Sequence, residues 1–263
     1  MSLNRLKNMF EKGEGALGTF FAAGNQNYME CLGFSGLDFV IIDCEHGPFD
    51  TETMMDLIRA AERSGLVPWV RIANVDHKEI QRAADCGAQG LIIPCLREVE
   101  DFKKAADLAK YTPMGHRGFI KGRGTGYGCA EWADTKTLQE YFDNSNDRLM
   151  VIPQCETIEA LENIEEIVKI DGIDGIFIGP FDLSTCMGIA GQLDLPEFKA
   201  AEEKVFSACK SAGKPCYNFT TIPAVASDYI NRGYAGVAVN MDCMIFLDAY
   251  KELNAKIRKN ISK

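Results

Sequence analysis

Short runs of consecutive apolar residues, each followed by a stretch with helical spacing, recur from one end of this chain to the other. Residues 38–43 (Asp-Phe-Val-Ile-Ile-Asp), 67–72 (Val-Pro-Trp-Val-Arg-Ile), 90–95 (Gly-Leu-Ile-Ile-Pro-Cys) and 150–156 (Met-Val-Ile-Pro-Gln-Cys-Glu) lack the polar alternation of a half-exposed strand. Continuous apolar strands belong to parallel sheets covered on both faces. Runs at 16–21, 175–178, 214–219 and 236–240 bring the series to eight. Helices are expected at 26–33, from Asp50 onward with Met54, Leu57, Ile58 and Ala61 inward, then at 76–85, 99–110, 135–142, 158–168, 196–211, 222–232 and 243–258. Right-handed crossovers then place the C-terminal ends of all the strands at one edge. The 263 residues show no linker or composition shift, and one closed α/β barrel takes roughly 250. The expected fold class is therefore α/β, a single-domain (β/α)8 TIM barrel spanning 1–263. An open doubly wound sheet is the rival, but the G-x-G-x-x-G turn it wants after a first strand is missing.

One segment breaks the rhythm. Residues 111–134 are rich in glycine and aromatic residues without clear periodicity. A loop of that length inside a compact domain is usually functional, and its Gly-rich part, 115–128, is expected to close over the substrate, its own or that of a neighbouring subunit. Net charge of −10 with scattered basic residues argues against nucleic acid or an anionic membrane surface as partner. The ten cysteines form no C-x-x-C pair and several fall inside apolar strands, which points to free thiols in a reducing compartment. With no apolar leader and no run of membrane-spanning length, the expected location is cytoplasmic.

Barrel chemistry sits at the C-terminal rim. The polar residues at the strand ends are Asp43, Glu45, His46, Arg71, Gln154, Glu156, Asp182, Asn218 and Asn240. Glu156 and Asp182 close two adjacent strands, and side-by-side carboxylates raise one another's pKa unless a cation lies between them. Either acid alone reads as a helix-start or turn residue; as a pair they read as an all-oxygen site for Mg²⁺ or Mn²⁺. His46 follows Asp43 by three residues, a spacing that lets the carboxylate orient the imidazole as a general base. A buried Arg71 needs an anionic partner, either a neighbouring carboxylate or a substrate oxyanion. No lysine ends a strand, so Schiff-base chemistry has no placed nucleophile.

Together these segments resemble a known family. Asp43-Cys-Glu-His46, Val-Arg71, Pro113-x-Gly115-x-Arg117-Gly118, Pro153-Gln154-x-Glu156 and Gly175-Ile-Phe-Ile-Gly179-Pro180-x-Asp182-Leu183 are similar, in order, to the HpcH/HpaI aldolase/citrate lyase family and its class II pyruvate aldolases. The resemblance implies an aldehyde-lyase that cleaves or forms 4-hydroxy-2-oxo acids, giving pyruvate and an aldehyde. It implies Glu156 and Asp182 as ligands of Mg²⁺, Mn²⁺ or Co²⁺, and His46 with Asp43 as the base. Arg71 would hold the keto oxygen, Gln154 would contact pyruvate, and the backbone across Gly179, Phe181 and Asp182 would receive its carboxylate. It also implies a homohexamer in which the last helix, 243–258, crosses to a neighbour. The chain departs from the family pattern at three places. Phe181 stands where Ala or Ser is usual, Tyr217-Asn218-Phe219-Thr220 is bulkier, and Asn240-Met241-Asp242 replaces Gly-Ser-Asp. Two other readings stay open on the same barrel: a different 2-oxo-acid lyase or decarboxylase, or a barrel that binds a 2-oxo acid without turnover.

Overall fold

The computed structural model describes residues 2–261. In chain order they form α1 (Arg5–Glu11), β1 (Ala16–Phe21), α2 (Gln26–Gly33), β2 (Phe39–Asp43), α3 (Thr51–Arg63), β3 (Val67–Arg71), α4 (His77–Cys86), β4 (Gly90–Ile93) and α5 (Val99–Ala109). There follow α6 (Leu138–Arg148), β5 (Met150–Cys155), α7 (Ile158–Glu162), α8 (Ile164–Ile167), β6 (Ile176–Ile178), α9 (Pro180–Cys186), α10 (Pro196–Ser211), β7 (Cys216–Thr220), α11 (Pro223–Arg232), β8 (Gly236–Met241) and α12 (Asp242–Lys259). The strands pair in parallel and in sequence order, and β8 closes on β1. The chain is one (β/α)8 barrel.

Strand parity divides the core into two layers. Phe20, Phe39, Ile41, Trp69, Ile92, Met150, Ile152, Phe177 and Tyr217 pack inside the barrel. Val40, Ile42, Val70, Leu91, Ile93, Val151, Ile176 and Ile178 face outward and pack with helix residues such as Leu57, Ile58 and Phe102. Gly90 makes room for the inner layer, since a Cβ there would lie 2.3 Å from the Trp69 ring. Helix α1, capped by Asn4, carries Leu6 onto the inner layer and closes the N-terminal mouth. The C-terminal mouth is left for chemistry. Among the described residues no helix is long and apolar enough to cross a membrane.

The structure departs from the sequence reading at three elements. The helix expected at 158–168 is two, α7 and α8, interrupted at Asn163, whose Nδ2 donates to the Glu159 carbonyl at 2.9 Å. A side chain bonding its own backbone competes with the helical ladder. The helix expected at 135–142 runs from Leu138 to Arg148, begun by a Thr137–Glu140 capping box. The turn carrying Asp182 is the first turn of α9, with Pro180 at its start.

Segment 111–134 folds into two short 3-10 turns and a satellite core. Tyr111 is stacked on Phe142 at 4.7 Å, and both Tyr111 and Tyr141 are buried. Arg117 pairs with Asp85 at 2.7 Å, Arg123 pairs with Glu62, and Gly124 sits against Gly87. Those partners lie at the C-terminal ends of α3 and α4, the N-terminal side of the barrel. A connection from α5 to β5 must emerge on that side. The segment is therefore held away from its own rim, and the expected closure over its own site does not arise.

Candidate active site

The ends of β2 and β3 are in register, with Asp43 opposite Arg71. Asp43 is fully buried and takes two parallel bonds from the guanidinium, 2.9 Å from Nε and 2.7 Å from Nη2. Arg71 Nη1 lies 3.1 Å from Glu45 Oε2, and the guanidinium stands 4.8 Å over the Phe20 ring. Of the two partners considered for Arg71, neighbouring carboxylates are present. This fork-to-carboxylate geometry fixes the guanidinium in one orientation at the floor of the rim.

The expected contact between Asp43 and the His46 imidazole is absent. Asp43 Oδ1 accepts instead from the main-chain N–H groups of Glu45 (3.1 Å) and His46 (3.3 Å), and Arg71 takes the rest of its capacity. The His46 side chain is 72% exposed, with Nε2 3.9 Å from Glu45 Oε2. Three residues of spacing let Asp43 reach the turn's backbone, and that local bond wins over the ring. Glu45 is the acid nearest the imidazole.

Glu156 follows β5 and is 3% exposed. Its Oε1 accepts from the Cys95 N–H at 2.6 Å and its Oε2 from Gln154 Nε2 at 2.7 Å. Cys95 holds a left-handed backbone, φ +60°, which turns its amide toward the carboxylate. Burial pushes the Glu156 carboxyl up to about 7; the Cys95 amide opposes this, while the charges of Asp182 and Glu45 add to it. At Gly179 a Cβ would lie 2.5 Å from Glu156 Oε2, so only glycine lets the β6 end approach so closely. Asp182 is exposed at the start of α9. Gln154 Oε1 is buried without a protein partner.

These groups fit a hard divalent cation. Two carboxylates supply oxygen donors, and a cation between them would offset the burial and like-charge repulsion that favour protonated Glu156. Among the described residues no set of three or more His, Cys, Asp or Glu side chains forms a ready-made cage, so a cation held here would need water and substrate as further ligands. That is the usual arrangement for Mg²⁺. Cys95 contributes its amide and not its thiol, because burial and then Glu156 push that thiol up to about 11. A protonated thiol is a poor nucleophile.

A cavity of about 320 Å³ opens over this floor and collects His46, Arg71, Gln154, Gly179, Phe181 and Asp182. Asp43 and Glu156 are not among the residues lining it. Its remaining walls include Asn240, one of the expected strand-end residues, and Phe20, Phe177, Phe219, Thr221, Met241 and Met244, which reading polar strand ends passed over. The inward parity of Phe20, Phe177 and Phe219 on their strands was the available signal. Asn218 is on the opposite parity: its Nδ2 points out to Glu202 at 2.9 Å in the helical layer and takes no part in the site.

Comparison with known proteins gives consistent results. A family model described as HpcH/HpaI aldolase/citrate lyase matches residues 16–249. The chain is 32% identical over 246 residues to a 2-dehydro-3,6-dideoxy-6-sulfogluconate aldolase of Pseudomonas putida, covering 93% of each chain. It is 32% identical over 261 residues to a 4-hydroxy-2-oxo-heptane-1,7-dioate aldolase of Salmonella dublin, covering 98% of this chain and 97% of the other. The crystal structure of an HpcH/HpaI aldolase from Desulfitobacterium hafniense superposes with a TM-score of 0.87 at 29% identity, covering 98% of this chain and 97% of that one.

Proposed function

The chain belongs to the HpcH/HpaI aldolase/citrate lyase family, and we propose that it is a divalent-metal-dependent aldehyde-lyase that cleaves and forms 4-hydroxy-2-oxo acids, with pyruvate and an aldehyde as the two halves. The observation that carries the reading is geometric: Glu156 lies buried behind the cavity, its oxygens fixed by the Cys95 amide and by Gln154, while Gln154, Arg71 and Asp182 line the cavity itself. Relatives at 32% identity named as aldolases of 2-oxo acids support it.

Glu156 and Asp182 would hold Mg²⁺, Mn²⁺ or Co²⁺, which supplies Lewis acidity at the 2-oxo group when bound. The other residues act by position. Cys95 N–H and Gln154 Nε2 fix the Glu156 oxygens. Arg71, clamped by Asp43 and Glu45, presents its guanidinium to the keto oxygen of the 2-oxo acid. The Gly179–Asp182 backbone faces the same cavity and receives the pyruvate carboxylate. In cleavage His46 removes the 4-hydroxyl proton, the C3–C4 bond breaks to release the aldehyde, and its electron pair moves toward the 2-oxo oxygen. Carbon 3 then takes up a proton to give pyruvate, with no net change of oxidation state. Asp43 serves this step by positioning Arg71 and the main chain of the His46 turn.

The test is pyruvate release from 4-hydroxy-2-oxo acids. Turnover is expected to need Mg²⁺ or Mn²⁺, to stop with EDTA, and to be lost in Glu156→Gln together with calorimetric ion binding. Turnover that survives chelation or the substitution overturns the reading.

We also propose that the chain assembles as a homo-oligomer through α12, as a hexamer on the family pattern. Helix α12 buries none of its residues within the chain. Phe246, Tyr250, Leu253 and Ile257, spaced at four, three and four, form one exposed apolar stripe. Its start is tied down, where the Asp242 carboxylate accepts from the N–H groups of Ala22, Ala23 and Gly24 at 2.9–3.1 Å, and Phe246 meets the Tyr28 ring edge-on.

A further inference from the structure

Resting on the aldolase reading, we propose that the carbonyl partner of pyruvate is uncharged and apolar, an aryl or medium-length alkyl aldehyde, and that Phe181 is a specificity-determining residue for it.

The cavity has two chemically different parts. Its floor carries Arg71, Gln154 and Asp182. Its wall is a chain of four phenyl rings, each edge-on to the next: Phe177 to Phe20 at 6.0 Å, Phe20 to Phe219 at 5.6 Å, and Phe219 to Phe181 at 6.1 Å. The Met241 and Met244 thioethers complete it. Phe181 is 47% exposed, so an apolar ligand laid against it would remove ring surface from water that the empty cavity leaves wet.

Charge excludes the alternatives. Among the described residues lining the cavity, the basic groups are Arg71 and His46. Arg71 already binds Asp43 through Nε and Nη2 and faces Glu45 through Nη1. His46 sits at the lip with its side chain 72% exposed. A distal carboxylate or sulfonate, such as the relatives named for a heptane-1,7-dioate and a 6-sulfogluconate would handle, meets phenyl and thioether groups here. An anion desolvated without a partner is strongly disfavoured. For a polyhydroxylated aldehyde the wall offers the Asn240 Nδ2 amide and the Thr221 hydroxyl, set among the phenyl rings and thioethers, with Asn240 Oδ1 already accepting the Met241 N–H. An apolar aldehyde carbon chain needs neither.

The experiment supplies the Mn²⁺-loaded protein with pyruvate and, in turn, hydrocinnamaldehyde, benzaldehyde, succinic semialdehyde and glyceraldehyde, and measures kcat/KM for each aldol. The apolar aldehydes are expected to exceed the anionic one by at least about tenfold, the scale a mismatched polar group produces in a built pocket. Phe181→Ala is expected to lower that ratio mainly through KM for the apolar aldehyde, and Phe181→Arg to raise relative use of succinic semialdehyde. On the metal-free protein, saturation-transfer NMR should show benzyl alcohol bound in preference to 4-hydroxybutyrate, with the signal weakened in Phe181→Ala. Deuterium exchange of the pyruvate methyl protons reads the other half of the site independently. Exchange together with equal or better use of succinic semialdehyde or glyceraldehyde, or with no turnover of the apolar aldehydes, overturns the specificity alone. Absence of both exchange and aldol product overturns the aldolase reading and this inference with it.

Discussion

Single residues carry the strain and the charge of this site, and the two meet where the Cys95 amide reaches the Glu156 carboxyl. Its left-handed backbone costs a non-glycine residue roughly 1–2 kcal/mol, yet that conformation turns the amide onto Glu156. Cys95→Gly keeps the amide and removes the steric cost, so it is expected to raise stability by about 1 kcal/mol in urea unfolding with Mn²⁺ affinity unchanged. Cys95→Val, branched at Cβ, is expected to lose at least about 1 kcal/mol and to weaken Mn²⁺ binding. Equal ion affinity in the two variants would detach Cys95 from the positioning of Glu156. The residue types at the site were legible in the sequence: Asp43, Arg71, Gln154, Glu156 and Asp182 all fall where strands end. Their pairings were not. The spacing of Asp43 and His46 suggested a dyad, whereas the side chain across the β2–β3 register, Arg71, claimed the carboxylate. Cross-strand register is invisible to local spacing.

At the scale of elements, the N-terminal face is held by a buried ionic knot. Lys110, at the end of α5 and fully buried, donates from Nζ to Asp174 at 2.6 Å and to the carbonyls of Asn146 and Leu149. Asp174 also pairs with Lys7 of α1 at 2.7 Å and accepts the Val151 N–H of β5 at 2.8 Å. Burial opposes its ionisation, but Lys110 and Lys7 outweigh that and hold its carboxyl below the usual carboxylate range. Burial wins for Lys110 itself, whose pKa is lowered despite the pairing. Because the folded carboxyl is depressed, its contribution is present above the unfolded value near 4 and is lost as pH falls below it. Asp174→Asn leaves Lys110 buried without its counter-charge and is expected to cost about 3–5 kcal/mol at pH 7. The gap to the unsubstituted protein should narrow below pH 4, as measured by urea midpoints across pH; a constant gap refutes the linkage. The elements themselves were readable from apolar periodicity. The break at Asn163 was not, because it turns on one side chain choosing its own backbone. The side of the barrel on which 111–134 lies follows from its joining α5 to β5, a consequence of topology that composition conceals.

At the scale of the whole molecule, α12 is the helix whose described residues bury nothing within the chain, and its apolar stripe stays uncovered. Replacing two members of its stripe, Phe246→Asp with Leu253→Asp, is expected to yield monomers in sedimentation or light scattering, with the barrel's circular dichroism retained. An unchanged particle mass overturns assembly through this helix. The sequence by itself determined the barrel: eight buried parallel strands and their helices are written in local periodicity, and right-handed crossovers leave one closed arrangement. It also determined that the strand ends carry acids, an arginine and a histidine. Only the tertiary structure decided which acid meets which base, that Glu156 lies buried on the Cys95 amide, that Asn218 turns outward, and that four phenyl rings meet over the floor. The physical reason is that periodicity is a property of neighbours along the chain. Hydrogen-bond partners, desolvation and like-charge proximity depend on distances across the barrel, which are set by closure and register.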